Sequence, residues 1–245
     1  MKRKYVRAFA ACLLAGGAMA HIPAICADLQ VAPVSITLPA DKTADAIWLS
    51  NPGAKPLQAQ VRVLQWVQAD GADHLIPTTE LMASPPMLSI MPGQRQMVRV
   101  MRMGGQPGPS ASTEQSFRIV IDEIPTQGRD PGLQFALRYS LPVFISGQDI
   151  TPPALSWRVE REGQAVWLRA TNTGGSHARI SDVTFITQDG RSIPLSKGLY
   201  GYALANNERR WELPRESKVF LDGGTVKATI NQQSGQFRIS SAKAS

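Results

Sequence analysis

The sequence predicts an all-β protein built from two immunoglobulin-like β-sandwich domains. Short segments of alternating apolar and polar residues recur along most of the chain. Gly, Pro, Asn and Asp turn signals separate them at intervals of about eight to twelve residues. No stretch of about ten residues shows the 3.6-residue apolar period of an amphipathic helix. The longest alternating segment is LQFALRYSLPVFI, Leu133 to Ile145. There Leu133, Phe135, Leu137, Tyr139 and Leu141 alternate with Gln134, Ala136, Arg138 and Ser140. A period of two marks a strand with two unlike faces. At about 3.3 Å per residue the segment reaches roughly 43 Å, well beyond an ordinary strand of about five or six residues. A row of that length, with Phe and Tyr in it, can lend side chains to a partner as well as to its own core.

The chain opens with a secretory leader over residues 1–27. Lys2, Arg3, Lys4 and Arg7 precede the uncharged apolar run Ala8 to Ala20, and cleavage after Ala20 or Ala27 fits the small residues there. No later run approaches the roughly twenty apolar residues of a membrane helix, so no membrane insertion is expected. Much of the basic excess leaves with the leader. Four of the 26 Lys and Arg lie in residues 1–7, and no acid precedes Asp28, which leaves 22 bases against 19 acids, a net +3. Those bases are scattered, which argues against nucleic acid as a partner. Cys12 and Cys26 are the only cysteines, so the mature chain forms no internal disulfide and depends on its apolar core.

Within the first domain, residues 28–146, Leu29 to Leu38 reads as a strand interrupted by Pro33, which suits an edge or a bulge. Ala44 to Ser50 is the next strand, closed by the turn Asn51-Pro52-Gly53. Leu57 to Val67 alternates through Leu57, Ala59, Val61, Val63 and, after a shift, Trp66, and Asp70-Gly71 marks a hairpin-like bend. Thr78 to Ile90 is irregular and broken by Pro85-Pro86. Gln96 to Met103 and Phe117 to Ile124 are further strands, and the second of these is apolar enough to be covered on both faces. The long strand follows.

Residues 147–153, within SGQDITPP, read as a linker. The second domain, residues 154–245, carries strand signals at Leu155 to Arg161, Ala165 to Asn172, Ala178 to Thr187, Ser192 to Pro194, Glu208 to Leu213, Gly224 to Ile230 and Gln236 to Ile239.

Enzyme motifs are not found. No GxSxG, GxGxxG or P-loop is present, and no cofactor is indicated. His21, His74 and His177 are far apart in sequence, with no acidic or cysteine ligand series near them, and read as surface residues rather than metal ligands. The chain is therefore expected not to be an enzyme.

The turn phrase MPGQRQMVRV, the phrase FRIVIDEIP and the strand ending SLPVF, behind a secretory leader and within two sandwich domains, resemble the periplasmic pilus (fimbrial) chaperones of the chaperone-usher pathway. SPPMLSIMPG with LRYSLPVF is most similar to the archaic branch of that family. The resemblance covers the mature chain and is most specific over residues 85–145. It implies a periplasmic protein that stabilises pilus subunits (pilins) by donor-strand complementation and delivers them to an outer-membrane usher. The inserted row corresponds to Leu133, Phe135, Leu137, Tyr139 and Leu141. An exposed donor strand of this kind also allows a self-capping dimer. The family's cleft Arg and Lys, which hold the subunit's C-terminal carboxylate, fall here at Ser35 and Pro142, so both bases are missing. Phe117 to Ile124 and the long strand are joined by a short loop and should be antiparallel neighbours. Arg118 then lies beside the end of the long strand, which makes it the candidate carboxylate anchor, ahead of Arg102 and Arg138. The resemblance also implies an interdomain ion cluster at Arg99, Glu114 and Asp222. The reading from another class is a secreted immunoglobulin-like structural or adhesive surface protein.

Overall fold

The computed structural model describes residues 29–104, 112–125, 136–214 and 218–239. It is all-β with two sandwiches. In the first, β1 (Gln30–Ala32), β3 (Ala44–Ser50), β8 (Arg95–Arg102) and β6 (Leu81–Ser84) form one sheet, in the order β1-β3-β8-β6. The facing sheet runs β2 (Ile36–Leu38), β10 (Arg138–Ile145), β9 (Gln115–Ile124), β4 (Leu57–Ala69) and β5 (Ala72–Pro77), and β7 (Met87–Ile90) also pairs with β4.

Proline explains how two segments divide. The first expected strand splits at Pro33, so that β1 pairs with β3 in one sheet while β2 pairs in parallel with β10 in the other. Pro85-Pro86 likewise separates β6 from β7, and each joins a different sheet. A proline donates no ladder hydrogen bond, so the break is the natural place to change sheets. At the expected bend, Asp70 and Gly71 both take positive φ, 52° and 70°, the geometry of a tight hairpin.

The first core lies between these sheets. Ile47, Leu49, Val98 and Val100 meet Phe117, Ile119, Ile121 and Val143, all wholly buried. Along β4, Leu57, Ala59 and Val61 point into this core. Trp66 has the opposite parity and belongs to the outer face, where it is also buried. No shift of register is needed: the tryptophan is covered from outside, by the second sandwich.

That second sandwich has one sheet of β11 (Leu155–Glu162), β12 (Ala165–Asn172) and β16 (Glu208–Glu212). The other holds β14 (Ser192–Pro194), β13 (Ala178–Thr187), β17 (Gly224–Ile230) and β18 (Gln233–Ile239), with β15 (Leu199–Ala203) also paired to β13. The sequence signals did not mark β15. The described helix, α1 (Lys218–Leu221), is a single turn.

The two sandwiches meet in a second, smaller cluster of Trp66, Phe144, Tyr202 and Leu204. Gln68 of β4 clamps the same joint: its amide donates to the Tyr202 carbonyl at 2.8 Å and accepts from the Leu204 N–H at 2.9 Å. The segment after β10 is also held closely. A Cβ at Gly174 would lie 2.1 Å from the Pro152 carbonyl oxygen, so the loop between β12 and β13 approaches only because that position is glycine.

Candidate functional site

β10 is a strand with one paired edge and one largely open edge. Along its whole length it pairs antiparallel with β9, from Arg138↔Asp122 to Ile145↔Gln115. On its other side β2 covers only Val143 to Ile145. Among the described residues no strand pairs with that second edge over Arg138 to Pro142. Unpaired N–H and C=O groups on such an edge are a template for another strand.

The expected inserted row divides along its length. Leu133 and Phe135 lie outside the described residues. Leu137 and Tyr139 are half-buried and rest against the first core, and Leu141 is part of it. The Tyr139 hydroxyl donates to the Leu29 carbonyl at 2.6 Å, which ties β10 to the segment entering β1. From Leu141 onward both faces of the strand are buried, because the second sandwich covers Phe144 from outside.

Arg118 sits on the outer face of β9, directly opposite Pro142 of β10 and Leu64 of β4. Its guanidinium carbon is 3.7 Å from the ring centre of Trp66 and 5.5 Å from that of Tyr202. One nitrogen donates to the Ser140 carbonyl at 3.3 Å. Burial lowers its pKa from the ordinary arginine value, with Tyr202 and Asp73 opposing the shift. No ion pair among the described residues engages it. The result is a planar cation held over an aromatic ring at the joint of two domains, a geometry suited to a carboxylate.

The other arginines are differently employed. Arg138 and Arg62 both bind the Asp122 carboxylate, Arg62 at 2.6 Å. Burial pushes the Asp122 carboxyl up, but the two guanidiniums outweigh it and hold it below the ordinary carboxylate range. An open hollow of about 520 Å³ beside this triad is also lined by Gln60, Glu123, Ala136 and Leu137. Arg102 keeps one buried nitrogen without a hydrogen-bond partner.

Arg99, Glu114 and Asp222 are not joined by any ion pair among the described residues. Arg99 and Asp222 are exposed. Glu114 is buried in the joint, where its carboxylate binds the backbone N–H and ring Nδ1 of His177 at 2.8 and 2.6 Å. His177 is thus not the surface residue expected from its isolation in sequence. Its partner lies 63 positions away, beyond any local pattern. Trp66, Gln68 and Tyr202 were likewise missed as joint residues, although the opposite parity of Trp66 in β4 was a usable signal.

The family described as pili and flagellar-assembly chaperone, PapD N-terminal domain, matches residues 28–151. No curated protein sequence matches the chain. Among solved structures, the chaperone–tip adhesion subunit pre-assembly complex CsuC–CsuE, from archaic chaperone-usher Csu pili of Acinetobacter baumannii, aligns with a TM-score of 0.69 at 24% identity, covering 89% of this chain and 100% of that one. The Salmonella enterica SafA pilin–SafB chaperone complex gives 0.58 at 16% identity over 85% and 92% of the two chains. The E. coli chaperone DraB gives 0.56 at 18% identity over 86% and 94%. These likenesses extend the shared fold to both sandwiches. With its first sandwich matched throughout by the family, the chain belongs to the pilus and flagellar-assembly chaperones.

Proposed function

We propose that this protein is a periplasmic chaperone that caps pilus subunits by donor-strand complementation and delivers them to an outer-membrane usher. The observation that carries this reading is the open edge of β10 at Arg138 to Pro142, which follows the alternating apolar row directly in sequence. A subunit lacking its last strand exposes a groove and unpaired edges. Adding β10 satisfies the backbone groups, and alternate side chains fill the groove.

The row takes two roles in this proposal. Leu133 and Phe135 enter the subunit, Leu137 stands at the boundary, half-buried against its own core, and Tyr139 and Leu141 root the strand in its own sandwich. Burying each large side chain contributes roughly 1.5–3 kcal/mol before the costs of association. Arg118, which no ion pair among the described residues engages, receives the subunit's C-terminal carboxylate. The CsuC–CsuE and SafA–SafB complexes, each a chaperone with a pilus subunit, support a subunit as the partner.

The rest of the reading follows the same lines. The secretory leader supports a periplasmic location. Capping adds a strand and makes or breaks no covalent bond, so the proposal includes no enzymatic activity and no cofactor. In the absence of a subunit, the same edge can pair with a second copy. The division at residues 28–146, 147–153 and 154–245 is supported by the sheets, which close on either side of the linker. Usher contact falls to the outward face of the β3–β8 sheet, where Trp48, Met82 and Met97 are exposed and Arg95 stacks on Trp48.

The test is co-purification from periplasm with candidate pilins, comparing wild type with Leu137→Asp. A small β-rich partner retained by wild type and lost by a folded Leu137→Asp supports the proposal. Equal retention by both, or no partner for either, favours a secreted structural protein instead.

A further inference from the structure

Eight methionines occur in the chain, and two of them, Met1 and Met19, lie in the leader. The other six all fall between residues 82 and 103, and residues 154–245 contain none. Methionine is ordinarily a core residue. Here the two cores are built from Leu, Ile, Val, Ala and aromatic side chains. Met82, Met87, Met91, Met97 and Met103 are instead 46–53% exposed. Thioethers gathered in one segment and left at the surface are placed for a use of their sulfur.

Three of them meet at one corner of the first sandwich. Val98 and Val100 of β8 are wholly buried, so the alternation puts Met97, Arg99 and Met101 on the outward face. β6, the edge strand of that sheet, places Met82 directly opposite Met101. The Met103 N–H continues the ladder to the Glu80 carbonyl at 2.8 Å. Met103 therefore keeps the face of Met101 and lies diagonal to Met82. Opposite residues of an antiparallel pair have Cα atoms about 4.5–5.5 Å apart, and diagonal ones about 7–8 Å. The unbranched methionine side chain, with its three rotatable bonds, closes such gaps. On its other side Met101 faces Ala44 of β3, whose single methyl group leaves the sulfur room.

The remaining methionines stay outside this corner. Met97 is four residues from Met101, roughly 13 Å along the strand. Met87 belongs to β7 in the facing sheet, and Met91 follows that strand. The charges around the trio oppose one another: Arg99 precedes Met101 on the same face, Glu80 stands opposite Met103, and Arg102 has inward parity.

Thioethers are soft, uncharged donors that select Cu(I), whereas carboxylates and carbonyls suit harder cations. Among the described residues no group of three His, Cys, Asp or Glu is placed to hold a metal ion. We propose that Met82, Met101 and Met103 form a site for one Cu(I) ion, held by three thioether sulfurs across β6 and β8. The ion keeps its oxidation state on binding, and it ties the edge strand to its neighbour. Subunit capture plays no part in this site. A surface used only for its apolar character would be served equally by leucine, and that difference makes the site testable.

The test is a titration of the mature protein with Ag(I), an air-stable soft cation of the same charge, read on the NMR signals of isotope-labelled methionine methyl groups. A Cys26→Ser background removes any competing thiolate. The Met82, Met101 and Met103 signals should shift together and saturate at one equivalent, while those of Met87, Met91 and Met97 hold. Cu(I) under reductant should move the same three, and Zn(II) none. Met101→Leu keeps the apolar surface and removes one sulfur, and Met101 lies outside the exposed patch assigned to the usher. This variant should stay folded and bind silver at least tenfold more weakly. All six signals moving in parallel, no shift at one equivalent, or undiminished silver affinity in a folded Met101→Leu overturns the proposal.

Discussion

The Tyr139 hydroxyl donates to the Leu29 carbonyl at 2.6 Å across 110 positions of sequence. Leu29 is almost wholly buried, at 1% exposure, so its carbonyl has little access to water. The bond therefore fixes the root of β10 against the segment entering β1, at the point where the open edge begins.

Replacing Tyr139 with Phe keeps the ring and removes the donor. Leaving a buried carbonyl unsatisfied costs about 1–3 kcal/mol. The denaturant midpoint should fall accordingly, with little change in the slope of the transition.

Neighbouring residues on β9 should behave in opposite ways. Phe117 is wholly buried in the first core, and Phe117→Ala is expected to cost about 3–5 kcal/mol. Arg118, one position on, faces outward onto Trp66. Arg118→Ala should cost stability less, about 0.5–2 kcal/mol for a partly buried cation–π contact, yet weaken pilin binding at least tenfold. Thermal unfolding and a binding titration on the same two variants separate the roles.

Much of this fold was legible in the sequence, because strand parity is local. Ala44 to Ser50, Ala165 to Asn172 and Gly224 to Ile230 are strands with the expected bounds, and the sheet change at Pro33 follows from its missing N–H. Arg118 opposite Pro142 also follows, since a short connection makes β9 and β10 antiparallel. The joint was not legible. Gln68 meets Leu204 across 136 positions, and nothing in the period of either segment announces the other. The expected cluster of Arg99, Glu114 and Asp222 located one joint residue, Glu114, but its partner is a histidine supplied by a distant loop.

Gln68 gives a direct measure of the joint. Gln68→Leu leaves the Tyr202 carbonyl and the Leu204 N–H without their side-chain partner. Each buried group left unpaired costs about 1–3 kcal/mol. Exchange protection of the Leu204 amide should drop severalfold, while amides in the centre of β13 keep theirs.

Asp122 sets an acid limit on the base of β10. Its folded pKa is depressed by Arg138 and Arg62, so the stabilisation is fully present above the unfolded carboxylate value of about 3.9. It is lost as pH falls through the lower folded value. Asp122→Asn should remove this part of the acid sensitivity. The check is denaturant unfolding of both proteins from about pH 6 down to about pH 2.5, where their stability difference should shrink as pH falls.

The most direct measurement on the central claim is backbone amide exchange over Arg138 to Leu141, with and without a bound pilin. Those amides of the segment that are not bonded to β9 should exchange fast in the free chain and slow by at least tenfold in the complex, as a new strand pairs with the open edge. Binding that protects other surfaces and leaves these amides unchanged would contradict the account.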